Sequence, residues 1–431
     1  MGEEAILQVA LDFLELDRAI EVAKESVSGG VDWLEVGTPL IKSEGMYAVR
    51  TMKKKFPEKT IIADLKTMDT GRLETEMAFK SGADFACLLG VADDTTIREG
   101  IAAAENYGGG IMVDLINVPE PVERAKKLEE LGVDVICIHV GIDQQMEGMD
   151  PLSILEEVRA VISSLLAIAG GITSETAGIA VKKGANVVIV GGAITKSEDA
   201  EKATATIKEA MEKEKVIEAK RGIKAHSRKD ILKVLEEVSV PNISDAMHRG
   251  RVLTFFNPII PEKITGRVVT VRTYAGDWAK PVEAIDTAEP GDVIVVDAGG
   301  EKTAVWGELA SRSCKLKKLS GAIVYGGVRD TEGIKEVDFP VYAKHFSGQA
   351  GEPKGFGEIN IPIEIEGMHF HPGDYVVASS DGVIRIPQKR ALEITNRALD
   401  VKEKEDRIME EIERGKTLSE LSDLYKWEKT T

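Results

Sequence analysis

The segment Ala63-Asp64-Leu65-Lys66-Thr67-Met68-Asp69-Thr70-Gly71 sets two carboxylates and an ammonium directly after the apolar pair Ile61-Ile62. Such a segment reads as a strand running out into a loop. Alternate side chains of a strand share a face, which predicts Asp64 and Lys66 on one side and Asp69 in the loop beyond. Charges this close to an apolar run must be paired, hydrogen-bonded or bound to a metal. The plain alternative is a surface loop with one local ion pair. Other ligating or titratable residues end other apolar runs: Asp12, Glu35, Asp114, Asn117 and His139, with the glycine pairs Gly170-Gly171 and Gly191-Gly192. Glu35 and Asp64 are hard oxygen donors suited to Mg2+, which keeps waters and substrate oxygens beside one or two carboxylates. Lys66, between acids, stays charged and can hold a developing oxyanion. His139 can take a proton from carbon or oxygen near neutrality. The glycine pairs can turn backbone N–H groups toward a phosphate. Together these residue types describe a metal-held enediolate of a sugar phosphate.

The elements that must position them recur with a period. Apolar runs at Leu7–Phe13, Trp33–Val36, Ile61–Leu65, Phe85–Val91, Ile111–Ile116, Val135–Val140, Leu165–Ala169 and Val187–Val190 follow one another at intervals of about 25 residues. Amphipathic charged segments such as Leu16–Ser28 and Glu120–Leu131 lie between them. Gly30-Val31-Asp32, Gly82-Ala83-Asp84, Gly132-Val133-Asp134 and Gly184-Ala185-Asn186 precede strands, a glycine ending each helix and a polar residue opening each strand. Near-continuous apolar strands alternating with helices imply a parallel sheet covered on both sides. Eight such units fit a (β/α)8 barrel, with a doubly wound open sheet as the alternative. A barrel places function at the carboxyl ends of its strands, where the residues above stand. Its seventh and eighth strands commonly carry the phosphate site, which is where both glycine pairs fall.

The chain of 431 residues exceeds one ordinary core, so two domains are expected. With 43% hydrophobic and 30% charged residues it has the composition of a soluble globular protein. A net charge of -18 argues against a broad nucleic-acid surface, because phosphate backbones need basic patches. Cys87, Cys137 and Cys314 are far apart and form no CxxC pair, which points to a reducing, cytoplasmic setting without a zinc or disulfide framework. The start Met1-Gly2-Glu3-Glu4-Ala5 lacks a signal peptide's basic end, and no apolar run is long enough to span a membrane.

The texture changes past the barrel. Residues 1–212 form the barrel, 213–234 a charged helical linker with Lys220-Arg221-Gly222 ending near Ser227, and 235–431 a second α/β domain with a helical tail. Val240-Pro241-Asn242-Ile243-Ser244-Asp245-Ala246-Met247 reads as an apolar entry to a capped helix. Strands are expected at Ile264–Arg272, Asp292–Asp297, Gly321–Tyr325, Val341–Ala343, Tyr375–Ala378 and Gly382–Ile386, with a helix over Ala304–Lys315. Chemistry concentrates at Asp297-Ala298-Gly299-Gly300, Trp306-Gly307-Glu308-Leu309-Ala310 and Gly326-Gly327-Val328-Arg329-Asp330. Glycine loops entering helices present N–H groups to an anion. Arg329 offers a planar fork for a carboxylate, Asp330 an oxygen for a divalent metal, and Glu308 an outer acid. A structural Arg–Asp pair at a turn is the alternative. His369-Phe370-His371 puts two imidazoles on one strand face, yet Pro372-Gly373-Asp374 reads as a turn rim. Gly415-Lys416-Thr417 lacks the first glycine of a phosphate loop, its place taken by Glu410.

The barrel half resembles the 3-hexulose-6-phosphate synthases, in the orotidine monophosphate decarboxylase group. The group's Asp-x-Lys-x-x-Asp motif stands as Asp64, Lys66 and Asp69, and the match takes in Asp12, Glu35 and His139-Val140-Gly141-Ile142-Asp143-Gln144-Gln145. The resemblance implies Mg2+-dependent aldol condensation of formaldehyde with ribulose 5-phosphate, or its reverse, in a dimer whose Asp69 reaches the partner's site. Related 3-keto-gulonate 6-phosphate decarboxylases typically carry arginine where this chain has Ile142, which favours the synthase. Some relatives carry arginine after the strand-8 glycine, where Ala193 follows Gly192, so phosphate binding leans on backbone amides. The second half resembles the RraA-like family, from about Val238 to Asp381-Gly382-Val383, through Gly326, Arg329 and Asp330, with Leu418-Ser419-Glu420-Leu421 fitting its tail. In its aldolase branch the counterpart of Asp330 binds Mg2+ and that of Arg329 steadies a pyruvyl group, Gly307, Glu308 and Leu309 lying alongside. Trimers are usual there, so the resemblance implies a homo-oligomer. In its regulator branch such a domain acts by binding protein rather than by catalysis.

Overall fold

A computed structural model describes residues 4–146, 151–217, 225 and 228–421. The side chains of Ile142 and Asp143, the segment Lys220-Arg221-Gly222 and Ser227 lie outside the described residues. The chain divides into two compact units. In the first, eight parallel strands close on themselves: β1 (Ile6–Leu11), β2 (Trp33–Val36), β3 (Thr60–Thr67), β4 (Phe85–Leu89), β5 (Gly110–Asp114), β6 (Val135–His139), β7 (Leu165–Ala169) and β8 (Val187–Val190). β1 pairs with both β2 and β8, which excludes the open sheet. Helices such as Leu16–Ser28 and Pro121–Leu131 cover the outside. Their apolar faces meet the outward strand residues in one cluster, while Ala10, Ile62, Cys87, Met112, Val135, Cys137 and their neighbours form a second.

The Gly-x-Asp turns do more than open strands. Their glycines take positive φ, Gly30 at 92°, Gly82 at 93°, Gly132 at 91° and Gly184 at 100°, where a side chain would be strained. Each following polar residue accepts a backbone N–H from the strand before its own. Asp32 Oδ2 takes Leu7 N at 2.7 Å, Asp84 Oδ2 takes Ile61 N at 2.7 Å, Asp134 Oδ2 takes Ile111 N at 2.8 Å, and Asn186 Oδ1 takes Leu166 N at 2.9 Å. The device repeats at every second strand. It ties strand starts, the end of a barrel concerned with stability.

The second unit is built on a mixed sheet. Its strands are β9 (Asn257–Pro258), β10 (Ile264–Arg272), β11 (Asp292–Asp297), β12 (Ala304–Trp306), β13 (Gly321–Val328), β14 (Val341–Phe346), β15 (Glu358–Ile359), β18 (Tyr375–Ser379) and β19 (Gly382–Ile386), while β16 (Ile363–Ile365) and β17 (Met368–Phe370) pair in a separate two-stranded sheet. The main path runs β19-β18-β10-β11-β13-β14-β9, parallel at its centre and antiparallel at its edges. Apolar clusters around Val296 and Val324 and around Val295 and Ile323 alternate along β11 and β13, as a sheet buried on both faces requires.

Two elements differ from expectation. The helix expected over Ala304–Lys315 is split: Ala304–Trp306 is a strand on β13, and the helix runs Glu308–Leu316 from Gly307. Val305 and Trp306 are buried, and β-branched and aromatic residues fit a pleated surface better than a helix start. The helix near Val240 starts earlier than its apolar entry suggested. It spans Val240–Ala246, with Ser239 and Asn242 forming a reciprocal capping box and Pro241 in the first turn.

Candidate functional site

The barrel site grows from the end of β3. Strict alternation does not hold there: β3 slips register against β4 between Ala63 and Thr67, and Lys66 takes a left-handed φ of 49°. Strain of this kind in a non-glycine residue persists only where its surroundings impose it. Asp64 and Lys66 meet nonetheless, through the bulge rather than the pleat. Lys66 Nζ donates to Asp64 Oδ2 at 2.9 Å and to Asp114 Oδ2 at 3.3 Å. Asp64 is buried and accepts a second hydrogen bond on Oδ2 from Thr38 Oγ1 at 2.8 Å.

Asp114, ending β5, links this pair to β6. Its Oδ2 lies 2.7 Å from His139 Nδ1, and its Oδ1 accepts Ile116 N at 2.8 Å. Burial pushes the Asp114 carboxyl up, but the His139 hydrogen bond and charge, Lys66 and the Ile116 amide outweigh it and hold it below the usual range. The carboxylate can only accept, so His139 carries a proton on Nδ1, and in the neutral ring Nε2 is the nitrogen that can accept one. Burial alone would lower the Lys66 ammonium; Asp64, Asp114 and Glu35 raise it instead, so it stays charged.

Glu35 lies buried on β2, with Gln8 Nε2 donating to its Oε2 at 2.5 Å. Desolvation first, then the Asp64 and Asp12 charges, push its carboxyl well above the ordinary range. Asp12 keeps solvent access at the mouth but is ringed by protein, and desolvation with the Asp64 charge raises it too. It fits because Gly37 has no side chain: a Cβ there would come within 2.2 Å of Asp12 Oδ1. Four carboxylates thus face one ammonium and one imidazole. That surplus of negative charge is what a cation neutralises, and Glu35 and Asp64 offer two hard donors. Among the described residues no group of three or more His, Cys, Asp or Glu side chains has metal-binding spacing. Two carboxylates with remaining positions left to water and substrate oxygen is the pattern of Mg2+ rather than zinc.

Not every expected residue joins the cluster. Asp69 is exposed, caps Thr70 N at 2.7 Å, and lines an open depression of about 500 Å³ with Arg72, Glu76, Thr95 and Glu99. Gly170 and Gly171 follow β7 with φ of 106° and 69°, and Gly191 caps the short helix Gly192–Thr195 after β8. Cys87 and Cys137 lie in the barrel interior, where burial first and nearby carboxylates second push both thiols up and keep them neutral. Sequence reasoning passed over Gln8 and Thr38, and named Asp114 only as a strand-end residue. Gln8 had left a signal: it shares the inward face of β1 with Ala10 and Asp12, a polar residue inside an apolar run.

In the second unit Arg329 Nε lies 3.3 Å from Asp330 Oδ2, both side chains half exposed. Asp330 takes a φ of 55° and caps the helix Thr331–Val337. A Cβ at Gly307 would meet Asp330 Oδ2 at 2.8 Å, so these three residues come together. Glu308 is engaged with Arg312 at 2.6 Å and lies over Gly333, while Leu309 is 79% exposed and turned outward. His369 is 3.7 Å from Glu364, and His371 Nδ1 lies 3.2 Å from Arg385 Nη2, so the two imidazoles face different partners. Thr417 N is capped by Glu420 and Lys416 pairs with Glu411, a helix start rather than a phosphate loop. The described chain from Arg407 onward counts with the barrel's unit, where Arg18 donates to Glu411 at 2.6 Å.

A closed parallel barrel with carboxylates, lysine and histidine at its strand ends, joined to a mixed α/β sheet, defines a two-part protein. Residues 5–207 match the family described as orotidine 5'-phosphate decarboxylase / HUMPS, and residues 240–385 match RraA-like, aldolase/RraA. The 3-hexulose-6-phosphate synthase of Bacillus subtilis (strain 168) is 39% identical over 206 residues, 48% of this chain and 98% of that protein. That of Methylomonas aminofaciens is 41% identical over 204 residues, 47% of this chain and 97% of that one. The solved RNA-processing inhibitor RraA from Thermus thermophilis is 29% identical, covers 35% of this chain and 93% of that chain, and has a TM-score of 0.33. The chain belongs to the orotidine 5'-phosphate decarboxylase / HUMPS family through a barrel related to 3-hexulose-6-phosphate synthases, and carries an RraA-like domain behind it.

Proposed function

We propose that the barrel is a lyase that interconverts ribulose 5-phosphate plus formaldehyde with 3-hexulose 6-phosphate. The observation that carries this reading is the hydrogen-bonded line Asp64–Lys66–Asp114–His139 beside buried Glu35. His139 Nε2 takes a proton from C1 of ribulose 5-phosphate, giving a 1,2-enediolate. Lys66 holds the developing oxyanion. The enediolate carbon attacks formaldehyde, forming the new C–C bond as the C2 oxygen regains its carbonyl, and the formaldehyde oxygen takes the proton back from His139 Nε2 to become the C1 hydroxyl of the hexulose. Run backward, the same groups cleave that bond. Asp114 fixes the tautomer of His139 and the position of Lys66. Glu35 and Asp64 are the residues that would hold Mg2+, with Asp12 at the rim; when bound, it supplies charge neutralisation for the enediolate. Gly170, Gly171, Gly191 and Gly192 take the phosphate through backbone N–H groups. Asp69, exposed beyond the cluster, serves a partner barrel in a homodimer.

For the second domain we propose a 2-oxo acid aldolase or decarboxylase site. Arg329 steadies the substrate carboxylate, Asp330 binds Mg2+, and Gly307, Glu308 and Leu309 flank them. No described helix is long and apolar enough to cross a membrane, which suits a cytoplasmic enzyme acting on small molecules.

The barrel reading is tested with 13C-formaldehyde, ribulose 5-phosphate and Mg2+. Label at C1 of a hexulose phosphate supports it. No incorporation, with carbon dioxide released from 3-keto-gulonate 6-phosphate instead, moves the barrel to decarboxylation.

A further inference from the structure

Gln8 is fully buried on β1, its register partners being Trp33 on β2 and Ile189 on β8. Its inward neighbours along the strand, Ile6 and Ala10, belong to an apolar cluster. One end of its amide reaches Glu35 Oε2 at 2.5 Å, while Oε1 is buried without a hydrogen-bond partner. An orphaned acceptor in such a place costs about 1–3 kcal/mol, which methionine of similar length would avoid. The same amide donates to buried Glu35, so the barrel carries the orphaned oxygen alongside that hydrogen bond. The second carboxylate has a matching arrangement: Thr38 Oγ1 donates to Asp64 Oδ2 at 2.8 Å. Each of the two proposed ligands thus has its own neutral donor, the kind of outer partner that orients a metal ligand.

We propose that Gln8 is a positioning residue for the barrel's divalent cation: its N–H fixes Glu35, and its unpaired Oε1 accepts a hydrogen bond from a water accompanying the cation. This rests on Glu35 and Asp64 being the cation's ligands. A hydrated Mg2+ retains several waters that need acceptors, and Oε1, at the other end of the same amide, is an acceptor already in place. A purely structural amide would need no such free end.

The test titrates Mn2+, as a spectroscopic stand-in for Mg2+, into the full chain and follows free Mn2+ by electron paramagnetic resonance. Asp330→Asn is carried throughout, so that the second domain's carboxylate does not enter the count. Gln8→Met is expected to remain folded and to bind Mn2+ about ten- to a hundred-fold more weakly. Equal affinity in parent and Gln8→Met overturns the proposal while leaving the ligand assignment standing. A parent that binds no Mn2+ overturns the ligand assignment itself, and the proposal with it. Should Gln8→Met fail to fold, Gln8→Asn, which withdraws the amide by one methylene, gives the same comparison: weaker Mn2+ binding supports the proposal and equal binding overturns it.

Discussion

Replacing Asp114 by Asn tests how the site keeps its base ready. The carboxylate accepts three contacts: Ile116 N at 2.8 Å on Oδ1, and His139 Nδ1 at 2.7 Å and Lys66 Nζ at 3.3 Å on Oδ2. An asparagine has one acceptor oxygen. If that oxygen keeps Ile116, the NH2 group faces His139 and Lys66. His139 Nδ1 must then accept, its proton moves to Nε2, and the base is lost in the wrong tautomer. If the oxygen turns to His139 instead, Ile116 N loses its partner. Either way Lys66 loses one of the two carboxylates it is ion-paired with. Loss of an oriented base costs about 10²–10⁴ in rate, or ~2.7–5.5 kcal/mol of transition-state stabilisation. The stability cost is smaller, about 1–3 kcal/mol for the altered buried hydrogen bonds. Initial rates of hexulose phosphate formation should show the loss in kcat with KM little changed, at a temperature where circular dichroism shows both proteins folded. A kcat within threefold of the parent would refute the tautomer argument, as would a loss confined to KM.

Three further outcomes are expected. Lys66→Ala should lower kcat by about 10²–10³ while the urea midpoint moves modestly; a loss of stability matching the loss of activity would mean that Lys66 holds only the fold. Asp330→Ala should abolish Mg2+-dependent cleavage of 2-oxo acids by the full chain and leave ribulose 5-phosphate chemistry unchanged, and unaltered 2-oxo acid cleavage would count against the second site. Glu129 accepts Ser163 and Ser164 backbone N–H groups, which outweigh burial and hold its carboxyl at about 2. Since that lies below the ordinary carboxylate value of about 4.3, its contribution is present above the ordinary value and disappears as pH falls toward about 2. Glu129→Gln should therefore cost about 0.5–1 kcal/mol at pH 7, discounted for exposure, with the difference in denaturation midpoint shrinking below about pH 4.

Much of the barrel could be read from residue order. Its strands depend on short apolar runs at a steady interval, and local rules suffice for those. Asp64, Lys66, Glu35 and His139 could be picked out because each ends such a run, and a barrel gathers strand ends. What escaped depends on contacts between strands. Asp114 was visible at the end of β5, but nothing local says that one of its oxygens serves both Lys66 and His139. Thr38 lies 26 residues before Asp64, whose side chain and backbone it binds. The meeting of Asp64 and Lys66 was foreseen for the wrong reason, since a bulge and a left-handed lysine replace the pleat. In the second half, Ala304–Trp306 misled because three apolar residues before a helix are equally a short strand, and only pairing with β13 decides between them.

The proposed reaction turns on proton removal at C1 of ribulose 5-phosphate by His139 before any carbon–carbon bond forms. Nuclear magnetic resonance of ribulose 5-phosphate with the full chain and Mg2+ in deuterium oxide, without formaldehyde, observes that step alone. Deuterium should enter C1 with the parent protein and should not do so with His139→Gln. Retention of both C1 protons with a protein that still binds the sugar phosphate, or equal exchange in the two proteins, would contradict that role for His139.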